Sequence, residues 1–292
     1  MKLVSFSKTA QGAQDARIGI VINDRVIDVA AHLADAPRDM IGLMGQWPTL
    51  RPRFEALAAG KAGDLALTDV TLLPPVPRPG KIFCIGLNYA DHIAESGMGT
   101  PVEQVWFTKA VTSINAPYGE IELPRVSSQL DYEAERAFVI GKRCRHVAVE
   151  NAHEVVFGYC AANDVSVRDW QTKTSQFVIG KSFDTHCPYG PWIVTPDEVG
   201  DPHALGIRCL VNGEVRQRSN TKELIFNCFE QIAFLSEAMT LEPGDLILTG
   251  TPGGVGMGFK PARWLKAGDV IRVEIDKIGA LESRVVVEGA QP

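Results

Sequence analysis

Apolar positions along the chain fall mostly into short runs: KIFCIG, VWFTKA, RAFVIG, EVVFGYCAA, GPWIVT, GIRCLVNGEV, DLILTG and DVIRVEI. Runs of this length, rich in β-branched and aromatic residues and several of them joined by Gly, Pro or Asn, predict strands. Regularly interposed helices are missing, so the pattern argues against a doubly wound sheet and for a β-rich α+β fold. Upstream, KLVSF and IGIVINDRVIDVA alternate like strands with a hairpin at Asn23-Asp24, and a helical stretch follows near RFEALAAG. Pro74, Pro75, Pro77 and Pro79 then force an extended connection. That connection predicts a boundary between a small N-terminal α+β domain, residues 1–73, and a catalytic-sized domain, residues 74–292. One amphipathic helix is expected where Asn227 and Glu230 form a capping box, with Phe229, Ile232, Leu235 and Met239 on one face. The echo of LEPGDLIL in LKAGDVIR suggests two adjacent β elements introduced by the same turn, and two copies make no solenoid.

Three carboxylates stand out against this strand pattern. Glu133 and Glu135 in LDYEAERAFVI are two apart, so an extended strand points both to one face. Ala137 and Val139 continue that face, which places the pair where the strand turns inward. Asp164 closes VVFGYCAAND at a turn. If the three converge they suit a hard divalent cation, and oxygen-only ligation favours Mg²⁺, Mn²⁺ or Ca²⁺ over zinc. Glu-x-Glu is also the pattern of a solvated strand face, and spacing alone leaves both open.

Composition narrows the partners. With 45% apolar residues, 22% charged residues and a formal net charge of -6, the 292-residue chain offers no sign of a nucleic-acid or membrane-surface partner. A small anionic substrate would therefore need a local cation, which Lys181 in VIGKSFDTHCPYGP could supply. The six cysteines lack any C-x-x-C pair, and MKLVSFSKTA has no long apolar stretch, so reduced thiols and a cytoplasmic location are expected. In IGLNYADHIAESGMGT, His92 and Glu95 lie three apart on one helical face and can touch; such a dyad can activate water. Gly97 and Gly99 after it would permit a mobile lid. The glycine-rich GTPGGVGMGFK lacks the Gly-Lys-Ser/Thr order of a phosphate loop and is followed by no long helix, so it predicts no nucleotide site. Its glycines would still let backbone amides and Thr251 approach a ligand.

Taken in order, CIGLNYADHIAE, LDYEAERAFVIG, GYCAANDVSVRDWQ, GKSFDTHCPYGP and LILTGTPGGVG resemble the fumarylacetoacetate hydrolase family over about residues 78 to 286. The resemblance implies a β-roll or barrel of mixed sheets, a homodimer, and Mg²⁺ or a similar ion held by Glu133, Glu135 and Asp164. It also implies Lys181 beside metal and substrate, His92 and Glu95 as a water-activating dyad on a lid, and Gln171 and Thr251 as substrate contacts. Arg136 departs from the family's usual aliphatic residue. The activity implied is metal-dependent hydrolysis of a carbon-carbon bond in a β-diketo acid of acylpyruvate or fumarylpyruvate type, a step suited to aromatic catabolism. Three carboxylates exceed a divalent ion by one charge, which Lys181 would offset. The alternatives are decarboxylation or isomerisation of a 2-oxo dicarboxylate on the same site, or a noncatalytic protein that kept the fold. The complete residue set weighs against the last.

Overall fold

The computed structural model describes residues 1–9, 15–97 and 99–289. Among these, two mixed sheets carry the architecture. The larger runs, in spatial order, through Arg25–Asp28, Arg17–Ile22, Lys2–Ser7, Cys187–Val194, Val156–Asn163, Ala134–Ile140, Leu246–Leu248, Ile82–Gly86 and Val105–Thr108, with Leu65–Ala66 at one edge. The smaller is ordered Glu214–Asn220, Gly206–Val211, Val270–Ile275, Gly279–Val287 and Ile121–Leu123. Most neighbours are antiparallel, while Leu246–Leu248 runs parallel to Ile82–Gly86 and Gly279–Val287 parallel to Ile121–Leu123. The first strand is hydrogen-bonded to the strand Cys187–Val194, with Lys2 opposite Val194, so sheet pairing continues across the proline-rich connection.

The strand Ala134–Ile140 is buried on both faces, and its alternation divides the core in two. Phe138 and Ile140 join Ile207, Val273, Leu281 and the helix residues Ile232 and Leu235. Ala137 and Val139 face the other way, toward Cys160, Ala162, Ile193, Leu43 and Phe54. Glu135 shares the parity of Ala137 and Val139, as the alternation requires.

The local readings meet the structure in detail. The turn at Asn23, with φ 53°, joins the hairpin strands Arg17–Ile22 and Arg25–Asp28. The expected helix near RFEALAAG is much longer, Met40–Gly60, started by the Asp39 carboxylate accepting the Gly42 N–H at 2.8 Å. Pro48 and Pro52 lie inside it, and burial of Leu43, Met44, Leu50 and Phe54 outweighs the backbone bonds they forgo. The second long helix, Cys228–Ala238, has the complete capping box of Asn227 and Glu230. Its buried face is Cys228, Gln231, Ile232, Leu235 and Ser236, with Phe229 and Met239 packed at the margins, so the expected stripe is displaced sideways.

The L-x-x-G-D echo corrects one expectation. Both copies form the same turn, in which Asp245 accepts the Glu242 N–H at 2.7 Å and Asp269 the Lys266 N–H at 2.8 Å, around Gly244 and Gly268 at φ 90° and 94°. Their strands nevertheless belong to different sheets. The repeated residues encode local turn chemistry, which carries no information about the pairing partner. Among the described residues no helix is long and apolar enough to cross a membrane, and the six cysteines are free thiols.

Candidate metal centre and active site

Two adjacent strand ends build the site. The Glu133 N–H donates to the Asn163 side chain at 3.0 Å, and its carbonyl accepts the Asp164 N–H at 2.9 Å. Ala134 pairs with Asn163, so Asp164 emerges beside the two glutamates. One oxygen from each of Glu133, Glu135 and Asp164 lies within 4.8 Å of the others, and all three residues are buried. Oxygen ligands about 2.0 to 2.6 Å from an ion fit that spacing.

Charge supports the fit. Lys181 bridges two of the carboxylates, its Nζ 2.7 Å from Glu133 Oε2 and 2.9 Å from Asp164 Oδ2. Burial acts to lower the Lys181 pKa, but Asp164 and Glu133 overcome it and hold the ammonium above its usual value. Burial likewise opposes ionisation of Glu133, and Lys181 and Arg168 reverse that, bringing its pKa down to about 2. Glu135 goes the other way. Burial, then Asp164 and Glu133, push it well above the carboxylate range, and among the described residues it has no ion-pair partner, only the Gly250 N–H at 2.6 Å. A buried carboxylate crowded by two others, with no side-chain cation paired to it among the described residues, suits ligation of a divalent cation.

Three residues that sequence reasoning passed over complete the cluster. Lys109 reaches Asp164 Oδ1 at 2.6 Å. Arg168 reaches Glu133 Oε1 at 2.7 Å and Asp131 Oδ2 at 2.8 Å. With all of them ionised, four carboxylates (Asp131, Glu133, Glu135, Asp164) face three cations (Lys109, Arg168, Lys181), an excess of one negative charge. A divalent ion would turn that to one positive, which suits an anionic substrate better than the offset expected from Lys181 alone. Lys109 closes a strand and Arg168 opens a single helical turn, so each reads in sequence as an ordinary solvated charge. Only the register shows them buried.

His92 and Glu95 sit on a short helix, Ala90–Ser96, ended by Gly97 at φ 68°. Residue 98 lies outside the described residues. His92 Nδ1 is 3.4 Å from Glu95 Oε2, and His92 is near enough to Glu133 to act on its charge. The glycine-rich loop explains how the helix is held. Five of its amides point at carboxylates of the same chain: Gly250 at Glu135, Gly253 at Asp91, Gly254 at Glu95, and Gly256 and Met257 at Asp131. A Cβ on Gly258 would lie 2.6 Å from the Glu95 carboxylate, so glycine is needed for the approach. The loop is an anion cradle, but for protein carboxylates.

Gln171 enters the cluster indirectly, accepting from Arg168 Nη1 at 2.9 Å. The Thr251 hydroxyl donates to the Ala134 carbonyl at 2.9 Å and accepts from Gln217 at 2.8 Å, so it buttresses the strand that carries Glu135. Arg136 turns to the opposite face of the strand, fully buried, bonded to the Pro202 carbonyl and set over the Tyr159 ring.

This fold and this cluster define a metal-site enzyme scaffold of mixed sheets. A profile described as fumarylacetoacetate (FAA) hydrolase C-terminal matches residues 81–286, and the chain belongs to the fumarylacetoacetate hydrolase family. It is 42% identical over 290 residues to a mitochondrial oxaloacetate tautomerase of Xenopus laevis, covering 98% of this chain and 90% of that one. It is 46% identical over 260 residues to a 2,4-didehydro-3-deoxy-L-rhamnonate hydrolase of Sphingomonas, covering 87% and 90%. A solved maleylpyruvate hydrolase of Sphingobium, in complex with manganese(II) ion and pyruvate, superposes with TM-score 0.82 at 36% identity, covering 98% of this chain and 99% of that one.

Lys181→Met should destabilise the metal-free protein by about 3 kcal/mol, because it leaves two buried carboxylates without their shared cation. Urea unfolding in EDTA measures this. Stability equal to wild type would mean that the bridge carries no net weight.

Proposed function

We propose that the protein is a divalent-metal-dependent hydrolase that cleaves the carbon-carbon bond of an acylpyruvate or fumarylpyruvate-type β-diketo acid. The observation that carries this reading is the convergence of Glu133, Glu135, Asp164 and Lys181, with the helix bearing His92 and Glu95 held by the same glycine-rich loop that reaches Glu135. A bound Mg²⁺ or Mn²⁺ supplies the Lewis acid that stabilises the enolate charge of a departing 2-oxo acid. Lys181 spends two of its three N–H donors on Glu133 and Asp164, and its third holds the anionic substrate oxygen. His92, oriented by Glu95, takes a proton from the water that attacks the far carbonyl. The carbon-carbon bond then breaks with its electron pair on the pyruvate side, and a proton delivered to that carbon completes pyruvate and a carboxylic acid. Gln171 steadies Arg168, which in turn fixes Glu133.

The likeness to the Xenopus oxaloacetate tautomerase favours a second reading, isomerisation of a 2-oxo dicarboxylate through the same stabilised enolate without attack by water. A panel of acylpyruvates, fumarylpyruvate and oxaloacetate, each with Mg²⁺, Mn²⁺ or chelator, separates the two. Metal-dependent release of pyruvate from the diketo acids supports hydrolysis. Interconversion of oxaloacetate tautomers with no cleavage supports the second reading, and inactivity on the whole panel overturns both.

A further inference from the structure

We propose that Asp91 is a positioning residue that fastens the helix carrying His92 over the metal centre, using Ser219 and the glycine-rich loop as its anchor. The inference rests on the reading of His92 and Glu95 as reacting groups. Asp91 Oδ2 accepts the Ser219 hydroxyl at 2.6 Å, and Oδ1 accepts the Gly253 N–H at 3.3 Å together with the N–H of His92 itself at 2.8 Å. Ser219 is a fixed point, because its strand, Glu214–Asn220, is paired with Gly206–Val211 in the smaller sheet, Ser219 opposite Ile207. Among the described residues no cation pairs with Asp91, so its charge is met by hydrogen-bond donors alone.

The spacing makes the attachment specific. Asp91 and Glu95 are four apart on one helical face, and they land on the consecutive amides of Gly253 and Gly254. His92 lies between them in sequence, with its ring Nδ1 3.4 Å from Glu95 Oε2. A Cβ at Gly254 would lie 2.0 Å from the Arg216 carbonyl, and Gly254 has φ 99°, so this loop conformation requires glycine there. The helix itself has seven residues, too short to persist without tertiary contacts. Ile93 gives it one buried apolar anchor. Its docked position therefore depends on the carboxylate contacts, and Asp91 joins the helix to a different sheet from the one that holds the metal ligands.

Hydrogen exchange of the amides in Ala90–Ser96, run beside steady-state kinetics and thermal unfolding, tests the assignment on the full chain. Asp91→Ala and Ser219→Ala should each speed exchange of that helix about tenfold, with sheet amides and melting temperature unchanged. kcat should fall by a similar factor with KM little changed. The double variant should be no worse than Asp91→Ala alone, since both changes remove one contact. Wild-type exchange of the helix in the single variants, additive effects in the double, or a general loss of protection across the sheets would each overturn the proposal. The exchange measurement needs no substrate, so it decides the role of Asp91 even if the diketo acids prove not to be turned over.

Discussion

Glu135→Gln is expected to lower turnover by about 10³-fold or more and to weaken Mn²⁺ binding sharply, while the metal-free protein unfolds at the same temperature as wild type or higher. The two halves of this expectation come from one arrangement. Glu135 is the carboxylate with no ion-pair partner among the described residues, set against Glu133 and Asp164 in a buried cluster. Under the proposed function its carboxylate would ligate the ion, and the neutral amide is a much poorer ligand. Without the ion its charge is a liability, so the substitution relieves repulsion that the folded state otherwise contains. The amide oxygen can still accept the Gly250 N–H that now reaches Glu135 Oε2, which keeps the local backbone in place. Calorimetric titration with Mn²⁺, paired with thermal unfolding in EDTA, reads both halves. Unchanged Mn²⁺ affinity would remove Glu135 from the metal shell, and a large drop in metal-free stability would mean that its role is structural.

How far the sequence announced this site depends on which physical signal each residue leaves. Glu133 and Glu135 were legible because strand alternation has a fixed period, so a two-residue spacing followed by Ala137 and Val139 points inward whatever the rest of the fold does. Asp164 was legible as the polar end of an apolar run. His92 and Glu95 followed from helical spacing in the same way. Lys109 and Arg168 left no such mark: a cation at the end of a strand or the start of a turn is normally solvated, and their burial arises from pairings between segments 55 and 37 residues apart. Asp131 was hidden for the same reason, although it shares the L-D-Y-E-x-E segment with Glu133 and Glu135. In sequence the glycine-rich loop showed only that the Gly-Lys-Ser/Thr order of a phosphate loop is missing. Its actual partners, the carboxylates of Asp91, Glu95, Asp131 and Glu135, come from two segments far from the loop in sequence, the helix Ala90–Ser96 and residues 131–135, and periodicity within one segment cannot report them. The long helix Met40–Gly60 was only partly visible, since its prolines interrupt the local signal while its buried face is set by tertiary packing.

The His92–Glu95 pair offers the sharpest discrimination between hydrolysis and simpler enolate chemistry. His92→Ala should reduce acylpyruvate hydrolysis by about 10²-fold or more, the scale of a lost general base, and Glu95→Gln should do nearly the same by releasing the imidazole from its 3.4 Å contact. Glu95→Gln is informative because its oxygen can continue to accept the Gly254 N–H, now made at 2.9 Å, so the helix stays docked while the carboxylate charge beside His92 is removed. Oxaloacetate decarboxylation needs no attacking water. The carboxylate cluster and Lys181 are untouched by either change, so decarboxylation at saturating Mg²⁺ should fall much less than hydrolysis. Turnover of both variants on both substrates, under one metal condition, is the measurement. Hydrolysis at the wild-type rate in both variants would refute the water-activating role. Equal losses on the two substrates would instead place His92 and Glu95 in a step common to both, the handling of the enolate proton.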